Sequence, residues 1–190
     1  MTTALRPALV MTGLFAGLLG VAYPLAMTVM GQTIFPHQAN GSLIRDGGEV
    51  VGSELIGQRV TADRYFRPRP SAAGKGYDGL ASAGSNLGPS SQALADRLRA
   101  DIARQTPSAS GRIIPPDLVT ASASGLDPHI SPEAALYQVD RVARARGLTA
   151  ASVRAAVERA TEHPLLGILG EPRVNVLLLN RALDGRPAGR

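Results

Sequence analysis

Residues 7–44 hold no Lys, Arg, Asp or Glu, and no later part of the chain repeats that pattern. An α-helix needs about 20 apolar residues to cross roughly 30 Å of hydrocarbon. Met11–Gly31 (MTGLFAGLLGVAYPLAMTVMG) meets that requirement, whereas later apolar runs are too short or too broken by charge. The pattern predicts a short tail over 1–8, one membrane helix over 9–34, a polar domain over 35–185 and a flexible tail over 186–190. One helix cannot enclose a transport path. Any membrane function must come from what the helix docks against or what the domain covers.

Nine Leu, Val and Phe residues between Leu9 and Val29 favour insertion by roughly 3–5 kcal/mol in sum, before the cost of Gly and Pro24. The rival reading is a cleaved signal peptide, with MTTALR as its basic start and Gly20-Val21-Ala22 as its cleavage site. The apolar run continues well past that site, which favours a retained anchor. Arg6 stands alone before the span, while Arg45, Asp46 and Glu49 follow it. That bias points to a single-pass protein with its N-terminus inside and its domain outside, hence periplasmic if the membrane is a bacterial inner membrane. Gly13, Gly17 and Gly20, with Pro24 and Gly31, fall close to one face of a regular helix. In lipid, helices associate by close backbone approach over small residues, so this stripe reads either as a docking face or as ordinary membrane-helix Gly content.

Beyond the span, Phe35–Gly41 reads as a polar connector. Ser42–Arg45 and Glu49–Val51 are short β-type runs around Asp46-Gly47-Gly48, a hairpin signal. Asp63–Ala93 is dense in Gly, Ser, Pro and Asn and reads as loop, longer than an idle connection. Ser91–Gln105 then places Leu94, Leu98 and Ile102 on one helical stripe, with Pro107 beyond its end. Ser131-Pro132-Glu133 has the cap, first-turn Pro and early acid of a helix start; that helix turns Leu136, Val139 and Val142 inward and stops at Gly147. Thr149 caps another, with Val153, Ala156, Val157 and Ala160 inside. Pro172–Leu183, apolar on most sides, reads as a buried central helix ended by Gly185. The fold class is α+β: one N-terminal transmembrane helix and one mixed helix and short-strand domain.

Charge narrows the partners. The net charge is +5; outside Arg6, 19 Arg and Lys face 15 Asp and Glu, with Lys75 the single Lys. That balance suits acidic surfaces but lacks the clustering of a nucleic-acid footprint. Ala73-Gly74-Lys75-Gly76 is no phosphate loop, because Arg69 stands where a Gly is needed and no Ser or Thr follows Lys75. Ser122, Ser124, Asp127 and His129 invite a hydrolase triad, yet Gly-x-Ser-x-Gly and Ser-x-x-Lys are both absent. His37, His129 and His163 have no metal-ligand spacing, and there is no Cys. Arg64–Ser71 interleaves cations with aromatics and is stiffened by Pro. Asp117–Glu133 presents hydroxyls and N–H groups beside a capped helix start, a place for an anion or a partner's carbonyls, or a purely structural turn.

Five spaced motifs carry a family resemblance: Ser53–Gln58, Tyr65–Ser71, Gly84–Gly88, Asp117–Glu133, and Val174–Leu177 with Asn180 and Asp184. With the span, they resemble the C subunit of the Kdp-type potassium-transporting ATPase of bacteria over essentially the whole chain. Arg67 stands where the family pattern favours His, and Asp78 where it favours Asn. The resemblance implies a non-catalytic subunit of a high-affinity potassium uptake complex, with a channel-like potassium-translocating subunit and a P-type ATP-hydrolysing subunit as partners. It also implies a catalytic chaperone that raises ATP affinity in the P-type subunit, so ATP enters as a cofactor only by family implication. A domain outside the membrane cannot touch that ATP directly. Candidate positions for partner contact or nucleotide association are Tyr65, Phe66, Arg67, Arg69, Ser71, Ser85, Asn86, Ser122, Ser124, Gly125, Asp127, His129 and Gln138; those for helix docking are Gly13, Gly17 and Gly20. Two other readings stay open, a membrane-anchored hydrolase and a headgroup-binding module.

Overall fold

The charge-free run forms a continuous helical segment, Leu5–Ile34, with the length and hydropathy to cross a membrane. It comprises α1 (Leu5–Gly17), a wide π-turn (Leu18–Ala22) and α2 (Tyr23–Ile34). Pro24 explains the wide turn. It has no N–H to give to Gly20, and its ring crowds that carbonyl, so the helix slackens just before it; Tyr23 N–H reaches back five residues to Leu18. Of the expected stripe, Gly13 and Gly17 lie in α1, Gly20 in the wide turn, and Pro24 and Gly31 in α2. The connector is not wholly extended either: Pro36–Ala39 forms a single helical turn, α3.

The computed structural model describes residues 3–105, 111–164, 167 and 169–185, in two compact units that meet in sequence between Leu43 and Ile44. The second unit opens with a hairpin, β1 (Leu43–Asp46) and β2 (Glu49–Ser53). Gly47 and Gly48 both take positive φ, 57° and 93°, the left-handed backbone that such a tight turn requires. Residues 54–91 carry no helix or strand. Next come α4 (Gln92–Gln105), a 3-10 turn (Pro116–Leu118), β3 (His129–Ile130), α5 (Pro132–Arg146), α6 (Ala150–Ala160), β4 (Thr161–Glu162), β5 (Arg173–Asn175) and α7 (Val176–Leu183). β5 is the centre of an antiparallel sheet ordered β3-β5-β4, pairing Ile130 and Thr161 on either side of Val174. The soluble unit is α+β.

Capping sets the helix ends as the sequence indicates. Ser131 Oγ accepts from Ala134 N–H, Thr149 Oγ1 from Ser152 N–H, and Gly147 closes α5 in the left-handed conformation. Val139 and Val142 of α5 and Val153 and Val157 of α6 face one core with Ile130, Val174, Leu179 and Phe66. Two expected elements differ. Residues 173–175 join the sheet, and α7 starts only at Val176, where Asn175 accepts from Leu178 N–H as its cap; the apolar run thus serves two elements. On α4, Leu94 and Leu98 are only half-buried, Ile102 is 43% exposed, and the buried residue is Asp101. Pro107 and the tail at 186–190 lie outside the described residues.

The candidate segment Tyr65–Ser71 enters the core at Phe66, and its backbone needs partners there. Two side-chain amides supply them. Asn180 accepts from Phe66 N–H at 2.7 Å and donates to Phe66 C=O at 2.9 Å. Gln138 accepts from Arg67 N–H at 2.8 Å and donates to Arg67 C=O at 3.0 Å. Arg141 extends the grip, donating to the carbonyls of Asp63 and Tyr65 and to Gln138 Oε1. Arg146 donates to the carbonyls of Arg64 and Leu183 and to Asp184. Burial, and then the nearby Arg67 charge, lowers the Arg141 pKa to about 10 against the opposing pull of Asp63, which leaves it charged at neutral pH. At Asp184, burial pushes the carboxyl up, but hydrogen bonds from Arg146 and Tyr65 and the charges of Arg146 and Arg64 outweigh it and hold the pKa low.

Candidate functional site

Two of the sequence motifs meet in space. Arg69 reaches from the Pro-rich segment across to the Ser-rich loop: it donates to Thr120 C=O, Thr120 Oγ1 and Ala121 C=O, and pairs with Asp127 at 3.5 Å. Ser71 Oγ donates to Gly125 C=O at 2.5 Å while accepting from the N–H groups of Tyr77 and Ala73. Tyr77 OH donates to Arg69 C=O at 2.6 Å; burial pushes its pKa up to about 12, partly countered by Arg59. Ala83 N–H and Ser82 Oγ both donate to Ser124 C=O, and Gly57 N–H donates to Leu126 C=O. Residues 122–127 are therefore a hub that ties together positions 57, 69–77 and 82–84.

Gly125 is fixed at that junction by space and by backbone. Its φ is +67°, and a Cβ there would lie 2.6 Å from both Ala73 N and Ala83 O. Gly84 repeats the point more mildly, approaching Ala123. Ser85 and Asn86 lie just beyond the hub, Asn86 in left-handed backbone, and neither joins its hydrogen bonds among the described residues.

The remaining candidates are occupied in holding the fold. Tyr65 OH donates to Asp184 at 2.9 Å, and its ring lies beneath Arg64 and Arg146. Phe66 is fully buried. Arg67 pairs with Asp63 at 2.6 Å. Gln138 is the backbone clamp already described. The sequence places Arg141 and Arg146, with Arg144, near the negative end of α5 but does not reveal their grip on the loop carbonyls or the clamping role of Asn180, whose available signal was a lone amide among the leucines of α7.

The Ser, Asp and His of Ser122–His129 do not form a triad. Asp127 Oδ1 accepts from His129 N–H at 2.9 Å and lies 3.5 Å from His129 Nδ1. Ser124 Oγ instead accepts from Leu126 N–H, and Ser122 Oγ is buried 3.5 Å from Ser124 Oγ. Among the described residues neither hydroxyl bonds to His129. A nucleophile needs its base within hydrogen-bond reach. Beside this turn opens a cleft of about 380 Å³, lined by Arg69, Asp127, His129 and Ser131 on one side and by Glu171 and Arg173 on another. On the membrane unit, a Cβ at Gly13, Gly17 or Gly20 would meet nothing within 4 Å.

This arrangement, a candidate span followed by a loop-clamped α+β unit, has close relatives. The family model described as "K+-transporting ATPase, c chain" matches residues 5–185. The chain belongs to the KdpC family. It is 57% identical over 187 residues to the potassium-transporting ATPase KdpC subunit of Caulobacter vibrioides, covering 98% of this chain and 95% of the relative. Identity to the Sorangium cellulosum KdpC subunit is 58% over 188 residues, 97% and 99% of the two chains. The Koribacter versatilis KdpC subunit is 51% identical over 175 residues, 92% and 91%. The motifs that carry the resemblance are thus part of an end-to-end similarity.

The hydrogen bond from His129, acting against burial, and the charges of His129 and Arg69 hold the Asp127 carboxyl below its ordinary 3.8. A carboxylate with a depressed folded pKa stabilises the fold fully above its unfolded pKa and loses that contribution as pH falls through the folded value. Asp127→Asn should accordingly lose less stability than the wild type between about pH 5 and pH 3, measured by thermal unfolding of the full chain in detergent. Parallel acid profiles for the two proteins would contradict the assignment.

Proposed function

We propose that this KdpC-family chain is a non-catalytic accessory subunit of a potassium-transporting ATPase complex, held by its N-terminal helix in the bacterial inner membrane with the α+β unit on the outer side. Its partners are a channel-like potassium-translocating subunit and a P-type ATP-hydrolysing subunit. The observation that carries this reading is the hub at residues 122–127. Its hydroxyls, carbonyls and charges join loops into one fixed surface and do not align a nucleophile with a base. Such a surface suits bracing a partner. The anchored-hydrolase reading is disfavoured by the Ser and His geometry, and the headgroup-binding reading by the end-to-end family match.

In this reading ATP is held by the P-type subunit. The accessory chain raises that subunit's ATP affinity, as a catalytic chaperone, by stabilising one arrangement of the membrane subunits. A coupling of this kind needs differential contact with two states of the partner, not contact with the nucleotide. The contact candidates are Tyr65–Ser71 apart from the fully buried Phe66, Gly84–Gly88 and Ser122–His129 on the outer unit, with Gly13 and Gly17 on the helix.

Gly13→Leu with Gly17→Leu should cut co-purification of the partner subunits by about five- to tenfold, since close helix approach depends on small residues. Unchanged complex yield and potassium uptake would remove the docking role. Orientation is tested by impermeant labelling of a Cys placed on exposed Arg154 in intact spheroplasts. Labelling is expected; protection until the membrane is opened would reverse the topology and admit direct nucleotide contact.

A further inference from the structure

A second cavity, of about 680 Å³, lies on the α4 side of the Pro-rich segment. Arg59, Arg67, Lys75, Arg97 and Arg104 line it, against one carboxylate, Asp101, among the described residues. Two of these cations are neutralised, Arg67 by Asp63 and Arg104 by Asp101. Arg59, Lys75 and Arg97 have no carboxylate partner among the described residues. Asp78, in the same loop as Lys75, accepts from Leu80 N–H and is not part of the lining. The cavity therefore keeps an excess of positive charge, and Arg59 and Lys75 carry theirs at exposed positions.

The fold holds that charge in place. Arg59 Nη2 donates to the carbonyls of Lys75 and Gly76, and the guanidinium lies over the Tyr77 ring at 6.0 Å. Its Nη1 has no partner among the described residues and is open to a carboxylate oxygen. Lys75 sits in a turn closed by Gly76 N–H on Ala73 C=O and by Tyr77 N–H on Ser71 Oγ. Tyr77 takes φ 58°, a left-handed backbone rare for a bulky residue and kept only where its surroundings enforce it. A strained, tied-down turn thus presents the single Lys of the chain on the cavity wall.

Cations from three separate stretches, at 59, at 75 and on α4, surround more space than one inorganic anion fills. They suit several carboxylates carried on one chain. Pro68 and Pro70 form a further wall, rigid and without N–H groups, which gives apolar contact and no strand pairing. We propose that this cavity docks an extended acidic segment, carrying Asp or Glu, on the outer surface of another membrane subunit of the complex. The inference rests on the accessory-subunit reading above and adds to it a contact surface apart from the hub at 122–127, one whose attraction is electrostatic. A concave, Pro-walled cavity fits an inserted peptide, whereas the plane of a lipid surface meets a flat or protruding basic face.

Lys75 makes the test specific. A zero-length carbodiimide cross-link joins a Lys amine directly to a carboxyl group, and in this chain a cross-link mapped to a Lys side chain arises only at this cavity. The experiment treats the co-purified complex with the carbodiimide and maps the products by tandem mass spectrometry. A cross-link from Lys75 to an Asp or Glu of a partner subunit is expected. Lys75→Arg should abolish it with complex yield unchanged, since the charge is kept. Lys75→Glu should cut co-purification by about threefold or more, because it sets like charges against each other. An intact complex in which Lys75 couples to no partner carboxylate, or an unchanged yield with Lys75→Glu, overturns this inference and leaves the accessory-subunit reading standing. A chain that co-purifies with no membrane subunit removes that reading and this inference together. Reconstitution in nanodiscs with about half phosphatidylglycerol, in place of phosphatidylcholine alone, should leave the cross-link intact. Its loss there would assign the cavity to anionic headgroups and overturn the choice of partner.

Discussion

The soluble unit depends on two side-chain amides presented by helices to a loop. Gln138 and Asn180, both almost fully buried, each close a pair of hydrogen bonds on one residue of the Phe66–Arg67 segment. They do for this extended segment what a neighbouring strand would do in a sheet. Without them, the N–H and C=O groups of a fully buried Phe66 would have no partners, and an unpaired buried group costs about 1–3 kcal/mol. Phe66 enters the core only because α5 and α7 supply partners to the backbone around it.

From that point the rest is geometrically determined. With Phe66 and Arg67 fixed, and with Pro68 and Pro70 stiffening the chain beyond them, Arg69 emerges where it meets Thr120, Ala121 and Asp127. Ser71 then meets Gly125. The hub at 122–127 gathers the long connection between β2 and α4, which has no helix or strand of its own to order it. A loop of that length without regular structure stays ordered only if its backbone finds partners elsewhere, and here side chains and a Gly-centred junction provide them. On its other face the same segment leaves a cationic cavity against α4. One restrained stretch thus presents two surfaces of different chemistry, a mixed-charge cleft by His129 and the basic cavity by Lys75.

Much of the fold was legible in the sequence because its signals are local. The charge-free run, the Gly47-Gly48 turn, the Ser131 and Thr149 caps and the Gly147 stop each act within a few residues, and the helices begin and end accordingly. The elements that differed are set by distant contacts. Residues 173–175 belong to a sheet because Ile130 and Thr161 flank Val174, which no periodicity within 172–183 reveals. On α4 the apolar stripe at Leu94, Leu98 and Ile102 suggested an inner face, yet Asp101 is the residue turned inside, where Arg104 meets it. The motif at 65–71 was visible as a distinctive pattern, but its use as a clamped core segment was not, because the clamping amides lie more than 70 positions away. The π-turn in the helix was legible only in part, since Pro24 announces a weak point without saying how the turn adjusts.

Amide hydrogen exchange of the segment 63–71, followed by mass spectrometry on the full chain in detergent, tests the central claim most directly. The Phe66 and Arg67 amides should exchange about as slowly as the core of α5, and Asn180→Ala or Gln138→Ala should release them while α5 itself stays protected. Fast exchange of that segment in the wild-type protein, or protection unchanged in both variants, would contradict the account.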